Sequence, residues 1–414
     1  MSAAEGTNAA EVGPVRPVCM IVHAYYEEDP RVRREAESLV AAGRPVDVFA
    51  LRRPADAESG ELAGVRIRRL NVQRHQGAGI KTYLLEYGSF LVRSAVAVTR
   101  AHRHRHYALV HVHSLPDYLA FAALPLRILR VPLLLDLHEA MPDFFRMRFP
   151  RLANPFFHWL LRVQERLSIG LASHVVTVNE PLAARLVTMG VAPGKITVLM
   201  NSPSLARFDA AAHQQRPFMA DGVLRLVYAG ALTPTYELDV VLESIGRLRT
   251  LRPDLPVRLT LYGRGDSEPG LRALSSRLGL VDIVELPGRI PIEDVPAAIA
   301  AADIGLAPTR RDPFTDASLS TKIFEYGAMR KPVVASRLPL VESVFADGSA
   351  YLYSSGDSTD LAARILEIVD DPVRRDASVA KCLERVRELA WEHSVGTLVE
   401  LVDRLTSRPV SSTP

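Results

Sequence analysis

Asp316-Ala-Ser-Leu-Ser-Thr-Lys-Ile-Phe-Glu-Tyr-Gly-Ala-Met-Arg-Lys-Pro-Val-Val-Ala-Ser336 is the stretch on which the fold of this 414-residue chain is decided. Ser318, Ser320 or Thr321 can cap a helix that runs through Ala328, and Pro332 then opens a short Val-rich strand. A helix followed at once by a buried strand is the repeating unit of an α/β protein. Upstream the same alternation returns in Ile304-Gly-Leu-Ala307, Ile283-Val-Glu-Leu286, Val257-Arg-Leu-Thr-Leu-Tyr262 and Leu224-Arg-Leu-Val-Tyr-Ala229. It pauses at Asn201-Ser-Pro-Ser-Leu-Ala-Arg-Phe-Asp209, whose composition suits a linker.

Before that pause the alternation runs through Val18-Cys-Met-Ile-Val22, Val46-Asp-Val-Phe-Ala-Leu51, Ala108-Leu-Val-His-Val112, Pro132-Leu-Leu-Leu-Asp136 and His174-Val-Val-Thr-Val178. A helix over residues 29–42 follows the first of these. Val32, Ala36, Leu39 and Val40 fall at helical spacing, and Gly43 is a suitable stop. Strands apolar on both faces imply parallel sheets covered by helices. The expectation is two Rossmann-like units, residues 17–205 and 206–390, facing each other across a ligand cleft. A helix over 391–408 is left over and is expected to return to the first unit. Residues 1–16, without the basic-then-apolar order of a signal peptide, and 409–414 read as a disordered leader and tail.

Composition narrows the function classes. A 48% hydrophobic and 23% charged chain of net charge +3 is globular and only mildly basic, which argues against a dedicated nucleic-acid binder. Cys19 and Cys382 stand far apart and suggest neither a disulfide framework nor a zinc site; a cytoplasmic setting is the simplest expectation. No clustered carboxylates propose a metal site, so no metal is expected. No apolar run reaches the ~20 residues that span a bilayer.

The opening stretch also carries chemistry. A helix N-terminus offers free backbone N–H groups and a positive dipole end to a diphosphate. Lys322 adds a mobile cation, and Glu325, one turn on, is a carboxylate able to accept both hydroxyls of a ribose. The plainer alternative is a surface Lys322–Glu325 ion pair, worth little. A lysine in a first helical turn opposes the dipole, which favours the functional reading. His138 follows a strand and precedes Glu139 and Pro142, a position at the mouth of the cleft; His113 and Asp117 follow another strand. Arg264, in Tyr262-Gly-Arg-Gly-Asp266, is either a phosphate ligand or a plain loop arginine. Ala101-His-Arg-His-Arg-His106 reads as a solvated helix end, with a polyanion or membrane contact as the alternative. Phe144-Phe-Arg-Met-Arg-Phe-Pro-Arg151 with Phe156-Phe-His-Trp159 mixes cations and aromatics, as a peripheral membrane contact would, although packing on the first unit explains it equally.

The segment Ser320–Ala328 resembles the nucleotide-sugar signature of retaining glycosyltransferases of family 4, which have the GT-B fold. The resemblance extends to Asp29-Pro-Arg-Val-Arg-Arg-Glu-Ala36, Leu135-Asp-Leu-His-Glu-Ala-Met-Pro-Asp143, Val198-Leu-Met-Asn201 and Ala390-Trp-Glu392. It implies a nucleotide-diphosphate sugar as donor substrate, with no separate cofactor, and a glycan or lipid-linked glycan as acceptor in cell-surface polysaccharide or glycoconjugate synthesis. By the same resemblance Glu325 binds ribose, Lys322 the diphosphate, and His138 contacts the donor sugar, with its backbone carbonyl near the anomeric centre. Ser318, Leu319, Ser320 and Thr321 supply N–H groups, and Gly230 begins the loop that borders the phosphates. The chain departs from the family pattern twice. Ala317 stands where an earlier Glu is common, and Ala231 with Thr233-Pro-Thr-Tyr-Glu237 replaces a loop that usually carries an Arg and a Lys.

That second departure keeps open a non-catalytic sugar-nucleotide-binding subunit on the same fold. A transferase for a small natural-product acceptor is another alternative. A nicotinamide oxidoreductase is disfavoured, because His23-Ala-Tyr-Tyr26, and no Gly-x-Gly-x-x-Gly, follows the first strand.

Overall fold

The computed structural model describes residues 15–73, 80–149 and 154–407. Most of the leader and the whole tail expected from the sequence lie outside these residues, as do Pro150 and Arg151 of the aromatic-basic stretch.

The first sheet contains β1 (Val18–Ile21), β2 (Val46–Leu51), β3 (Ser59–Leu62), β4 (Val65–Leu70), β5 (Leu109–His113), β6 (Leu133–Leu137), β7 (His174–Thr177) and β8 (Ile196–Val198). Its order is β3-β4-β2-β1-β5-β6-β7-β8, all parallel except the β3–β4 hairpin at the edge. The second sheet contains β9 (Leu224–Ala229), β10 (Val257–Tyr262), β11 (Val284–Gly288), β12 (Ile304–Ala307), β13 (Val333–Ser336) and β14 (Tyr351–Tyr353). Its order, β11-β10-β9-β12-β13-β14, is the doubly wound arrangement. In each sheet the strand order reverses beside the first strand, next to β5 in one and β12 in the other. Loops at those two switch points face a common cleft, because Ala24 and Tyr25, after β1, line the same cavity as Gly230, after β9.

The strands read from the sequence are present. The β3–β4 hairpin, β8, β14 and the long helix Ile80–Arg105 had no clear signal, since edge strands are short or only half apolar. The helix Pro30–Ala41 starts at Asp29, whose carboxylate accepts the N–H groups of Arg31 and Val32. Leu199 packs in the core of the first sheet and Phe208 in that of the second, so the chain crosses between cores within those residues. The helix Trp391–Thr406 packs Trp391, Leu398, Leu401 and Val402 against residues of β1, β2 and the helix Pro30–Ala41. Trp391 donates its indole N–H to Ser38 Oγ at 2.9 Å, and the Arg34 guanidinium lies over its ring.

Candidate functional site

The helix of the opening stretch spans Thr321–Ala328, and its inner face fixes its outer one. Tyr326 packs so tightly on β12 that a Cβ at Gly305 would sit 2.2 Å from its ring. The Tyr326 hydroxyl donates to Leu306 O and accepts the Ala229 N–H. Gly327 lies against Cys382 and Val386, where a Cβ would be 2.6 Å from the Cys382 sulfur. With Ile323, Phe324, Tyr326 and Gly327 committed to the core, Thr321, Lys322 and Glu325 turn to the cleft.

Ser320 occupies the N-cap position, yet its hydroxyl makes no capping bond. Of the three caps expected, Ser318, Ser320 or Thr321, the residue at the N-cap position thus makes no side-chain capping bond. The expected alternative of a surface ion pair is overturned. Lys322 is only 7% exposed and forms no ion pair with Glu325. Its ammonium instead lies 4.2 Å from the ring centre of Tyr236 and 5.1 Å from that of Tyr228. Cation–π contacts of this kind give on the order of 1–2 kcal/mol, less than a buried ammonium loses on leaving water. The Glu325 carboxylate acts on the Lys322 ammonium at longer range, without an ion pair.

Gly230 is what admits that side chain. A Cβ there would lie 2.5 Å from Lys322 Cε and 2.9 Å from its Nζ. Gly263, at φ +146°, backs the same crossing, since its Cβ would stand 1.8 Å from Gly230 O. Burial pushes the Glu325 carboxyl upward, offset in part by Lys322 and the Thr321 hydroxyl. Such a group gains from ligands that donate hydrogen bonds.

Two cavities meet at this helix. The larger, about 700 Å³, includes Gly230, Arg264 and Glu325; the smaller, about 330 Å³, includes His138, Glu139 and residues 317–320. Arg31, Asn201, Thr321 and Lys322 line both. The structure therefore brings His138, Gly230, Arg264, Lys322, Glu325 and residues 318–321 to these two adjoining cavities. The cations missing from the loop after Gly230 come from elsewhere: Arg34 on the first helix, Arg207 in the crossing segment, and Arg264 and Arg289 after β10 and β11. Arg264 is exposed and without a side-chain partner among the described residues.

His138 leaves the end of β6 with its Nε2 2.5 Å from Asp136 Oδ2. Asp136 also accepts a bond from His113 Nδ1 at 2.9 Å. Burial would raise the Asp136 carboxyl, but His138 and His113 outweigh it and hold it well below the usual range. Behind this pair lie His111 and Glu35, and burial together with the Asp136 charge pushes Glu35 up to about 7. Glu35, His111, His113 and Asp136 place ligand atoms within 4.8 Å of one another, the one grouping among the described residues able to hold a cation. Residue spacing did not show it, because the four come from one helix and two strands. His113, expected as a cleft candidate, instead supports His138 from behind. Asp117 is buried, its carboxyl pushed up by burial, and lines neither cavity. Arg105 is held by Asp47 in a two-pronged pair, which ties down the basic helix end.

Two Rossmann-like domains with a basic, glycine-walled cleft between their switch points define a GT-B glycosyltransferase fold. Residues 29–202 match the family described as glycosyl transferase 4-like domain, and residues 224–371 match glycosyl transferases group 1. The chain belongs to the family 4 glycosyltransferases. It is 29% identical over 231 residues to D-inositol 3-phosphate glycosyltransferase of Stackebrandtia nassauensis, a match covering 53% of this chain and 51% of that protein. The chain thus spans about half the length of this curated relative. Among solved structures it superposes on sucrose-phosphate synthase from Thermosynechococcus elongatus with a TM-score of 0.75 and 19% identity, over 94% of this chain and 99% of that one. Anabaena Alr3699/HepE in complex with UDP-glucose gives 0.68 and 16%, over 95% and 99%. At these identities the structures speak to the fold.

Proposed function

We propose that this protein transfers a sugar from a nucleotide-diphosphate sugar to a glycan or lipid-linked glycan acceptor with retention of anomeric configuration. One observation carries the reading: a nearly buried ammonium, Lys322, that rests on two aromatic faces and forms no ion pair among the described residues, at the junction of two cavities. An anion placed there compensates its burial, and the charge that a leaving diphosphate develops does so most strongly. The nucleoside occupies the larger cavity, its ribose hydroxyls on Glu325 and its phosphates between Lys322, Arg264 and the N-terminus of the helix Thr321–Ala328. The sugar then points toward His138. The bond from its C1 to the phosphate oxygen breaks as the acceptor oxygen bonds C1 on the same face. The acceptor proton passes to the departing phosphate, leaving a nucleoside diphosphate. Anabaena Alr3699/HepE, solved with UDP-glucose, supports a uridine nucleotide, with a guanosine nucleotide as the alternative.

Nucleotide release from a donor panel, with anomeric products read by NMR, tests this. Turnover is expected in the wild type and lost in Lys322→Ala and Glu325→Ala. Full activity in both variants sinks the site assignment; nucleotide binding with no turnover on any acceptor favours a binding subunit instead.

A lipid-linked acceptor is consistent with one surface. Tyr83, Phe149, Phe145 and Phe157 form a chain of ring contacts, flanked by Leu85 at 74%, Phe156 at 63% and Trp159 at 58% exposure and by exposed Arg146 and Arg162. No helix among the described residues is long and apolar enough to cross a membrane. The reading is a peripheral contact at the cytoplasmic face. Flotation with anionic vesicles checks it, and Trp159→Ala/Phe156→Ala is expected to reduce the bound fraction.

A further inference from the structure

The smaller cavity has a charge pattern of its own. Its two first-domain guanidiniums are already occupied. Arg31 places Nε and Nη2 on the carboxylate of Asp29 at 3.1 and 2.9 Å. Arg185 places Nη1 and Nη2 on Glu165, itself buried, at 2.7 and 2.8 Å. The two amide oxygens on the wall are occupied as well: Asn179 Oδ1 accepts the Leu182 N–H and Asn201 Oδ1 accepts from Arg34, while Asn179 Nδ2 donates to Ala317 O. Glu139 and Asp143, by contrast, are half-buried carboxylates that line the cavity with neither hydrogen bond nor salt bridge among the described residues.

A two-pronged guanidinium–carboxylate pair presents little net charge to a ligand, and its planar fork is already filled. Free carboxylates accept paired hydrogen bonds from neighbouring hydroxyls but repel a phosphate, most strongly where water is partly excluded. With the nucleotide in the larger cavity, an acceptor reaches the sugar through this smaller one. We infer that the acceptor is an uncharged sugar residue, held through adjacent hydroxyls by Glu139 and Asp143, and not a phosphorylated sugar. This rests on the reading of the larger cavity as the nucleotide site.

The test uses the full chain saturated with whichever of uridine or guanosine diphosphate it binds. If it binds neither, the nucleotide reading itself fails, a result separate from those below. Matched pairs are then compared: glucose with glucose 6-phosphate, mannose with mannose 6-phosphate, and inositol with inositol 3-phosphate. In any pair that accelerates nucleotide release from the donor, the neutral member is expected to be at least tenfold more effective. A phosphorylated member that equals or exceeds it overturns the inference. A second measurement does not depend on having the right acceptor. In calorimetry on the nucleotide-saturated protein, Glu139→Gln/Asp143→Asn is expected to tighten binding of the three sugar phosphates at least fivefold. Unchanged affinity in that folded double variant overturns the inference too.

Discussion

The two cavities of the cleft share Arg31, Asn201, Thr321 and Lys322, yet their remaining walls carry opposite charge. In the larger one, Arg31, Arg289 and Arg207 are paired with Asp29, Glu28 and Glu37, which leaves Arg34, Arg264 and Lys322 facing Glu325. In the smaller one the guanidiniums are paired, and Glu139 and Asp143 make no hydrogen bond or salt bridge among the described residues. One half of the cleft suits a polyanion and the other a polyol. Lys322 stands at the border, where the bond between sugar and diphosphate has to lie for both halves to be used.

Removing the border cation should have the largest effect. Lys322→Ala is expected to lower turnover about 10²- to 10³-fold, the scale of losing one donor to developing negative charge. Gly230→Ala is expected to act in the same direction, by about tenfold or more, because its methyl group would displace the Lys322 side chain. Wild-type turnover in Gly230→Ala would show that the position of Lys322 does not matter. Next in size, Glu325→Ala should weaken nucleoside diphosphate binding about 10- to 100-fold, as loss of a charge-assisted hydrogen bond does. A sharper form compares the ribo- and 2′-deoxynucleotides. The wild type should prefer the ribonucleotide and the variant should not, and a preference retained in Glu325→Ala would remove the ribose assignment.

On the other side of the border, Asp136→Asn should cost about tenfold in turnover through the orientation of His138, a typical penalty for a lost supporting bond, read as kcat against KM. Arg264→Ala is expected to weaken nucleotide binding only a few-fold, since its partner is an exposed phosphate contact. That small loss should shrink further as salt is raised, which titrations at two ionic strengths would show.

The smallest effect concerns pH. Glu35 is raised in the folded chain, so between its ordinary range near 4.5 and about 7 the folded state binds more protons than the unfolded one. The Glu35 contribution to stability should therefore fall as pH rises through that window, while His111, pushed down by burial, contributes in the opposite sense. Glu35→Gln should accordingly gain stability relative to the wild type as pH rises. Thermal melts of both proteins at pH 5 and pH 7.5 check the sign.

Much of this was legible in the chain itself. The central strands of both sheets announce themselves as apolar runs, and the helix that carries Lys322 and Glu325 is bounded by a Ser-rich start and a Pro-led strand. What spacing could not supply were contacts between distant segments. The Arg207, Arg289 and Arg34 cations reach one cavity from three separate elements, and nothing local marks them. The same holds for Asp136 beneath His138, joined to His113 across two strands. Lys322 illustrates both sides: its position in a first turn was readable as an anomaly, whereas its seat between Tyr228 and Tyr236 over Gly230 depends on the fold.

Calorimetric titration of uridine and guanosine diphosphate into the full-length wild type and into Lys322→Ala tests the central claim most directly. The expected result is one nucleotide bound per wild-type chain, with affinity at least tenfold weaker in the variant and a shallower dependence on salt. Equal affinity and equal salt dependence in a folded Lys322→Ala protein would contradict it.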